Sequence, residues 1–131
     1  MIWINSGCFF GFLSVLLGAF GAHFLKTRLS EYSLGIFQIG TQYQIYHALS
    51  LISLGIVCLF NQTNSQTFFS TQLLNSAGYC FVGGIIIFSG SLYALSLLGH
   101  KWLGAITPIG GLIFLAGWIL FFFSGFLGKR I

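Results

Sequence analysis

The residues of this chain best suited to chemistry are three histidines, His23, His47 and His100, and a few hydroxyl, phenol and amide side chains near two of them. Tyr43, His47 and Ser50 recur at i, i+4 and i+7, which places them on one face of a helix. Gln42, Gln44 and Tyr46 surround that face. Ser89, Ser91 and Tyr93 form a second polar patch, and Thr107 with Pro108 opens a third. A histidine is the side chain whose proton exchanges most readily near neutral pH, and it is also a common metal ligand. Two kinds of chemistry are therefore open. In one, His23 and His47 flank a polar cavity, with Tyr43, Gln44, Ser89, Ser91, Tyr93 and Thr107 around it, that relays protons or holds a cation. In the other, a neutral His47 hydrogen-bonds Ser, Thr, Tyr or backbone groups and pins helices together.

Enzyme chemistry has less to stand on. No Gly-x-Ser-x-Gly elbow, HExxH helix or phosphate-binding loop is present. A single acid, Glu31, rules out a paired-carboxylate mechanism within one chain. Cys8, Cys58 and Cys80 show no CxxC spacing and read as small packing residues. They also fall toward the half of the molecule opposite the histidines, against a mixed Cys/His centre. A site built from His alone would lack any carboxylate at depth. No metal and no cofactor are expected.

The setting of these residues follows from composition. Hydrophobic residues make up 56% of the 131 positions and charged residues only 5%, against roughly 25% charged in an ordinary soluble domain. So small a domain could not cover its surface with so few polar groups. The net charge of +4 rests on five cations, Lys26, Arg28, Lys101, Lys129 and Arg130. Scattered over three places, they form no patch able to displace counterions from nucleic acid. They mark membrane boundaries, and the lipid bilayer is the expected partner.

Residues 1–25, 32–100 and 102–128 carry no Asp, Glu, Lys or Arg. A bilayer-spanning helix needs about 20 apolar residues. The first and last stretches hold one span each. The middle one is broken by the polar run from Asn61 to Thr67 and holds two. Four spans are predicted, about 2–24, 42–60, 76–98 and 104–126. The runs lack the in/out alternation of a membrane barrel, and hydrocarbon requires internally satisfied backbone, so the spans are helical. The segment before the first boundary has no Lys or Arg and is about twice the length of a signal-peptide core, so it reads as a retained span. The expectation is an all-α, four-transmembrane-helix bundle forming a single integral membrane domain over residues 1–131.

Between spans one and two, Leu25, Leu29, Tyr32, Ile36, Ile39 and Tyr43 recur at steps of four and three, with Lys26, Arg28, Glu31 and Gln38 off the stripe. That pattern predicts an amphipathic helix lying in the interface, weakened by Gly35 and Gly40. Small residues keep helical spacing too. Gly7, Gly11, Ser14, Gly18 and Gly21 form one stripe, Ala77, Gly84 and Ser91 another, Gly83 and Gly90 a third, and Gly110, Gly117 and Ser124 repeat every seven, with Gly111 beside them. Water does not drive helices together in lipid, so close backbone approach through such faces must contribute. Trp3, Trp102 and Trp118 read as interfacial anchors. Sidedness is nearly balanced: Lys26, Arg28 and Lys101 fall on one face, Lys129 and Arg130 on the other. Insertion in both orientations with antiparallel pairing is therefore one hypothesis and a single orientation the other, and reporter fusions at the C-terminus decide between them, since an entirely one-sided signal would end the first.

Several of these strings occur together in one known group. Gly18-Ala19-Phe20-Gly21-Ala22-His23 with Leu25-Lys26, the Phe37–His47 pattern F-x-x-G-x-x-Y-Q-x-Y-H, Phe88–Tyr93, Thr107–Gly111 and Gly117-Trp118 make the chain resemble the YgdD-like family over essentially its whole length. That resemblance implies an uncharacterised four-helix protein of a bacterial inner membrane, with a short human relative, and implies no activity. The matching positions include His23, Tyr43, Gln44, Tyr46, His47, Ser89, Ser91, Tyr93, Thr107 and Pro108. His100 and the loop 61–75 lie outside the signature.

The functional expectation is a small multi-pass membrane protein without catalytic chemistry of its own. It would act through packing as an accessory subunit, a stability factor or a homo-oligomer, with a second copy or another membrane protein as partner. The alternative is a minimal transporter or channel using the His23/His47 cavity, which with four spans would require a dimer.

Overall fold

The computed structural model describes residues 1–63 and 68–128. Asn64 to Thr67 of the polar run, and the Lys129–Arg130 pair used in the charge balance, lie outside the described residues. Among the described residues, four helical segments are long and apolar enough to cross a membrane. Helix α1 runs Ile2–His23 and α2 runs Glu31–Thr63, joined by a short 3-10 turn at Leu25–Thr27. The third span is composite: α3, Thr71–Gly84, widens into a π turn at Ile85–Ser89 and continues as α4, Gly90–Leu98. A 3-10 turn at Lys101–Ala105 leads into α5, Thr107–Gly128.

The 22 residues of α1 rise about 33 Å, close to the roughly 30 Å of a hydrocarbon core. Helix α2 has 33 residues and rises about 50 Å. The expected interfacial helix is not a separate element. From Glu31 onward it is the first part of α2, and Phe37 is buried where the ring packs on Gly21 of α1. The second span therefore starts earlier than residue 42. The periodicity that suggested a helix lying on the surface arises equally from a helix standing against a neighbour. Gly40, read as a weak point, is a close-approach site: a Cβ there would lie 2.8 Å from the Tyr93 ring of α4.

Helix α2 is the central element, touching α1, both halves of the third span and the π turn between them. Three seven-residue tracks along it are buried: Phe37, Gln44 and Leu51; Gly40, His47, Leu54 and Asn61; Thr41, Ala48 and Gly55. A sustained seven-residue repeat is the signature of left-handed helix packing. Helix α1 packs chiefly on α2, and α5 chiefly on α3 and the π turn. On their buried sides the outer helices carry small residues every seven: Gly7, Ser14 and Gly21 on α1, Gly110, Gly117 and Ser124 on α5.

Cβ atoms at Gly7 and Gly110 would fall 2.6 Å from the Ala48 carbonyl oxygen and 2.5 Å from the Phe88 backbone nitrogen. Only the missing side chain lets those backbones meet. Gly21 and Gly117 are similarly tight, against Phe37 and Phe81, whereas Gly11 and Gly111 make ordinary contact. Gly18 and Gly90 are corrections to the stripes, since a Cβ at either meets nothing within 4 Å. Gly55, Gly78 and Gly84 are close contacts that the stripes did not single out as a set, facing Ile4, Trp3 and Phe114. Trp3 is a further correction. It is only 5% exposed, its indole covers Gly78 and its Nε1–H donates to Asn75 Oδ1 at 2.9 Å, so it is a core residue rather than an anchor.

Candidate functional site

Helices α2 and α5 approach through side chains rather than backbones, and the gap is bridged by aromatic rings. His47 sits in it, 5% exposed. Its Nδ1 lies 2.7 Å from the Tyr43 carbonyl oxygen one turn earlier. A carbonyl oxygen only accepts, so Nδ1 carries the proton. Nε2 is then a lone pair, and Trp118 of α5 donates its Nε1–H to it at 3.2 Å. Both ring nitrogens are thus used inside the bundle. The imidazole lies flat on Phe114, with centroids 3.5 Å apart and planes 7° from parallel, and Phe81 stands 5.6 Å away.

Beside this ring is a cavity of about 550 Å³. Tyr43 and His47 of α2, Phe88 of the π turn, and Pro108, Gly111 and Trp118 of α5 line it. It is a lateral groove, half open between α2 and α5 toward the face where Leu112, Leu115 and Ile119 are exposed. The Tyr43 ring packs at 4.7 Å on Phe88. With its walls almost wholly apolar, the groove suits a hydrocarbon chain or an apolar side chain better than an ion.

The other polar residues singled out in the sequence lie elsewhere. Gln44 lies on the neighbouring buried track of α2, turned from the groove toward α1 and α4, and its Nε2 donates to the Phe10 carbonyl of α1 at 2.9 Å. Its Oε1 accepts from the Tyr93 hydroxyl of α4 at 2.8 Å. One amide thereby links three helices. Ser91 and Thr107 share a hydrogen bond at 2.8 Å between α4 and the start of α5. His23 ends α1 on an exposed position and does not line the groove. Ser89, in the π turn, is fully buried, and its Oγ has no hydrogen-bond partner among the described residues. The eight residues therefore do not converge on one cavity. They divide between the groove (Tyr43, His47), an interhelical amide–phenol link (Gln44, Tyr93), a hydroxyl pair (Ser91, Thr107), one buried hydroxyl (Ser89) and one helix end (His23).

Sequence reasoning missed the partners. The spacing predicts Trp118 as an interfacial anchor, whereas its indole is the donor that fixes His47. Ser14 donates to the Thr41 carbonyl at 2.8 Å, and Ser96 to the Ser33 carbonyl at 2.7 Å, tying α1 and α4 to α2. Asn61 grips both backbone groups of Phe69, donating to its carbonyl at 2.7 Å and accepting from its N–H at 3.3 Å. Among these, Ser14 carried a signal in its place on the Gly7–Gly21 stripe, whereas Trp118, Ser96 and Asn61 lay on none of the small-residue stripes.

Comparison with known proteins gives the same setting. The family described as "Protein of unknown function (DUF423)" matches residues 17–111, which include His23, both groove residues of α2 and the whole third span. A UPF0382 membrane protein of Staphylococcus haemolyticus is 40% identical over 125 residues, covering 95% of each chain. A UPF0382 membrane protein of Staphylococcus aureus is 39% identical over the same extent. The UPF0382 membrane protein YwdK of Bacillus subtilis is 37% identical over 119 residues, covering 91% of each chain. No solved structure matches. With four spans in the structure and membrane proteins of matching length as relatives, the chain is a multi-pass membrane protein of bacterial type and belongs to the DUF423 family, whose function is unknown.

Proposed function

We propose that this protein is a non-catalytic component of the membrane that acts through its packed bundle and its lipid-facing surface, as an accessory subunit, a stability factor or a homo-oligomer. The observation that carries the reading is His47. Its two ring nitrogens are committed to the Tyr43 carbonyl and the Trp118 indole, so it has no free position from which to pass a proton or ligate an ion. Gln44, Tyr93, Ser91 and Thr107 are likewise engaged in bonds between helices. A second copy or another membrane protein is the partner this reading calls for. The motifs shared with the YgdD-like proteins support extending it to them and to their human relative. The alternative, a dimeric transporter or channel for protons, cations or a small solute, needs His23 and His47 on one cavity, and it draws no support from an exposed His23 at a helix end.

Reconstituted proteoliposomes carrying a pH gradient test the choice. The expected result is proton leakage equal to that of empty vesicles, with His47→Ala lowering the thermal midpoint in detergent. Leakage above the empty-vesicle rate that His47→Ala abolishes, with the midpoint unchanged, would overturn the proposal.

A further inference from the structure

The charged residues described in the structure all lie at one end of the bundle: Lys26 and Arg28 in the α1–α2 connection, Glu31 at the first position of α2, and Lys101 in the α4–α5 connection. That end carries three cations against one carboxylate in charge. Arg28 is held over the Phe24 ring at 4.4 Å. The Lys101 ammonium makes no ion pair and no hydrogen bond among the described residues. It borders a second cavity, of about 440 Å³, set between the first turns of α2 and the α4–α5 connection.

The lining of this cavity is graded. Ile36 and Leu95 are its apolar part, and Tyr32, Ser33 and Lys101 its polar part. Ser33 Oγ accepts from Ser30 Oγ at 3.1 Å, which leaves its own proton free to donate. The cavity is framed by fixed structure. Ser96 Oγ donates to the Ser33 carbonyl at 2.7 Å and ties α4 to α2 there. Gly99, at φ +72°, reverses the chain after α4 and brings Lys101 back beside the opening. Gly104, with no side chain, leaves the space unfilled: its nearest neighbour would be Leu95 Cδ2, 3.5 Å from an added Cβ.

An unpaired ammonium, a free hydroxyl proton and a phenol above aliphatic side chains, at the end of a transmembrane bundle, match a phosphodiester with acyl chains below it. We propose that this cavity is a binding site for the headgroup of an anionic phospholipid, with Lys101 against the phosphate and Ile36 and Leu95 against the glycerol and first methylenes. The bilayer supplies such a ligand at the depth where the cavity opens, and the excess of cations at this end favours an anionic lipid over a zwitterionic one.

Native mass spectrometry of the full chain, released from neutral detergent with equimolar phosphatidylglycerol and phosphatidylethanolamine, tests the assignment. Phosphatidylglycerol should be retained preferentially. Lys101→Gln should cut that retention about fivefold, the weight of one cation beside an anionic surface, and leave phosphatidylethanolamine unchanged. Gly104→Leu, which fills the cavity without altering charge, should have the same effect. Lys26→Gln with Arg28→Gln should change it little. Undiminished retention in Lys101→Gln or in Gly104→Leu would overturn the proposal, as would an equal loss in the Lys26/Arg28 variant, which would indicate diffuse surface charge. Displacement of the lipid by millimolar inorganic phosphate would assign the site to the free ion and overturn the lipid assignment.

Discussion

At His47 the position of one proton decides the packing. With Nδ1–H directed to the Tyr43 carbonyl, Nε2 is left to accept from Trp118, and the flat contact with Phe114 fixes the ring between the two. Nitrogen chemical shifts of the imidazole should therefore report a neutral ring protonated at Nδ1. A ring protonated at Nε2 instead would contradict the geometry. A double-mutant cycle between His47→Phe and Trp118→Phe, read by unfolding in detergent, should give a coupling of about 0.6 kcal/mol and at most about 1.7, the range for interhelical hydrogen bonds in membranes. A coupling indistinguishable from zero would remove the bond from the account. The spacing of Tyr43 and His47 could be read along the chain because they are neighbours one helical turn apart. Trp118 could not, because it is 71 positions away and nothing local ties it to His47. The same holds for Gln44 and Tyr93, 49 positions apart, whose bond depends on which face of each helix turns inward.

Among the elements, close approach rather than polar bonding separates the structural glycines from the rest. Gly7→Ala and Gly110→Ala would each press a methyl group into backbone, at 2.6 and 2.5 Å, and should destabilise the bundle by about 1–3 kcal/mol, the usual cost of overpacking. Gly18→Ala and Gly90→Ala meet nothing within 4 Å and should be neutral, or stabilising by up to about 1 kcal/mol through helix propensity. Thermal midpoints of the four variants check both halves, and equal effects across the set would contradict this division. The spans themselves were legible because the bilayer demands long charge-free runs, and those runs are plain in the sequence. The continuity of α2 was not, because a stripe at steps of three and four looks the same whether the helix lies on lipid headgroups or stands against α1. The π turn was also hidden: Ile85-Ile86-Ile87 is one unbroken apolar run, and no residue in it marks a widened turn.

For the whole molecule, the element order places His23, Lys26, Arg28, His100 and Lys101 at one end and Gln62 at the other. In a background without Cys8, Cys58 and Cys80, cysteines at positions 23 and 100 should react with a membrane-impermeant maleimide from the same side, and one at position 62 from the opposite side. Labelling of 23 and 100 from opposite sides would break the four-span topology, whereas labelling of every position from both sides would reveal insertion in two orientations. The central claim, however, is that the polar groups at membrane depth hold helices together in a dry interior. Its most direct test is the exchange of the Trp118 indole proton with water, followed by NMR in lipid nanodiscs. The account predicts slow exchange and no cross-peak to water, because the indole is bound to His47 in a groove with apolar walls. Exchange within seconds, with a water cross-peak at Trp118 Nε1–H, would mean that water reaches His47 through the membrane and would contradict it.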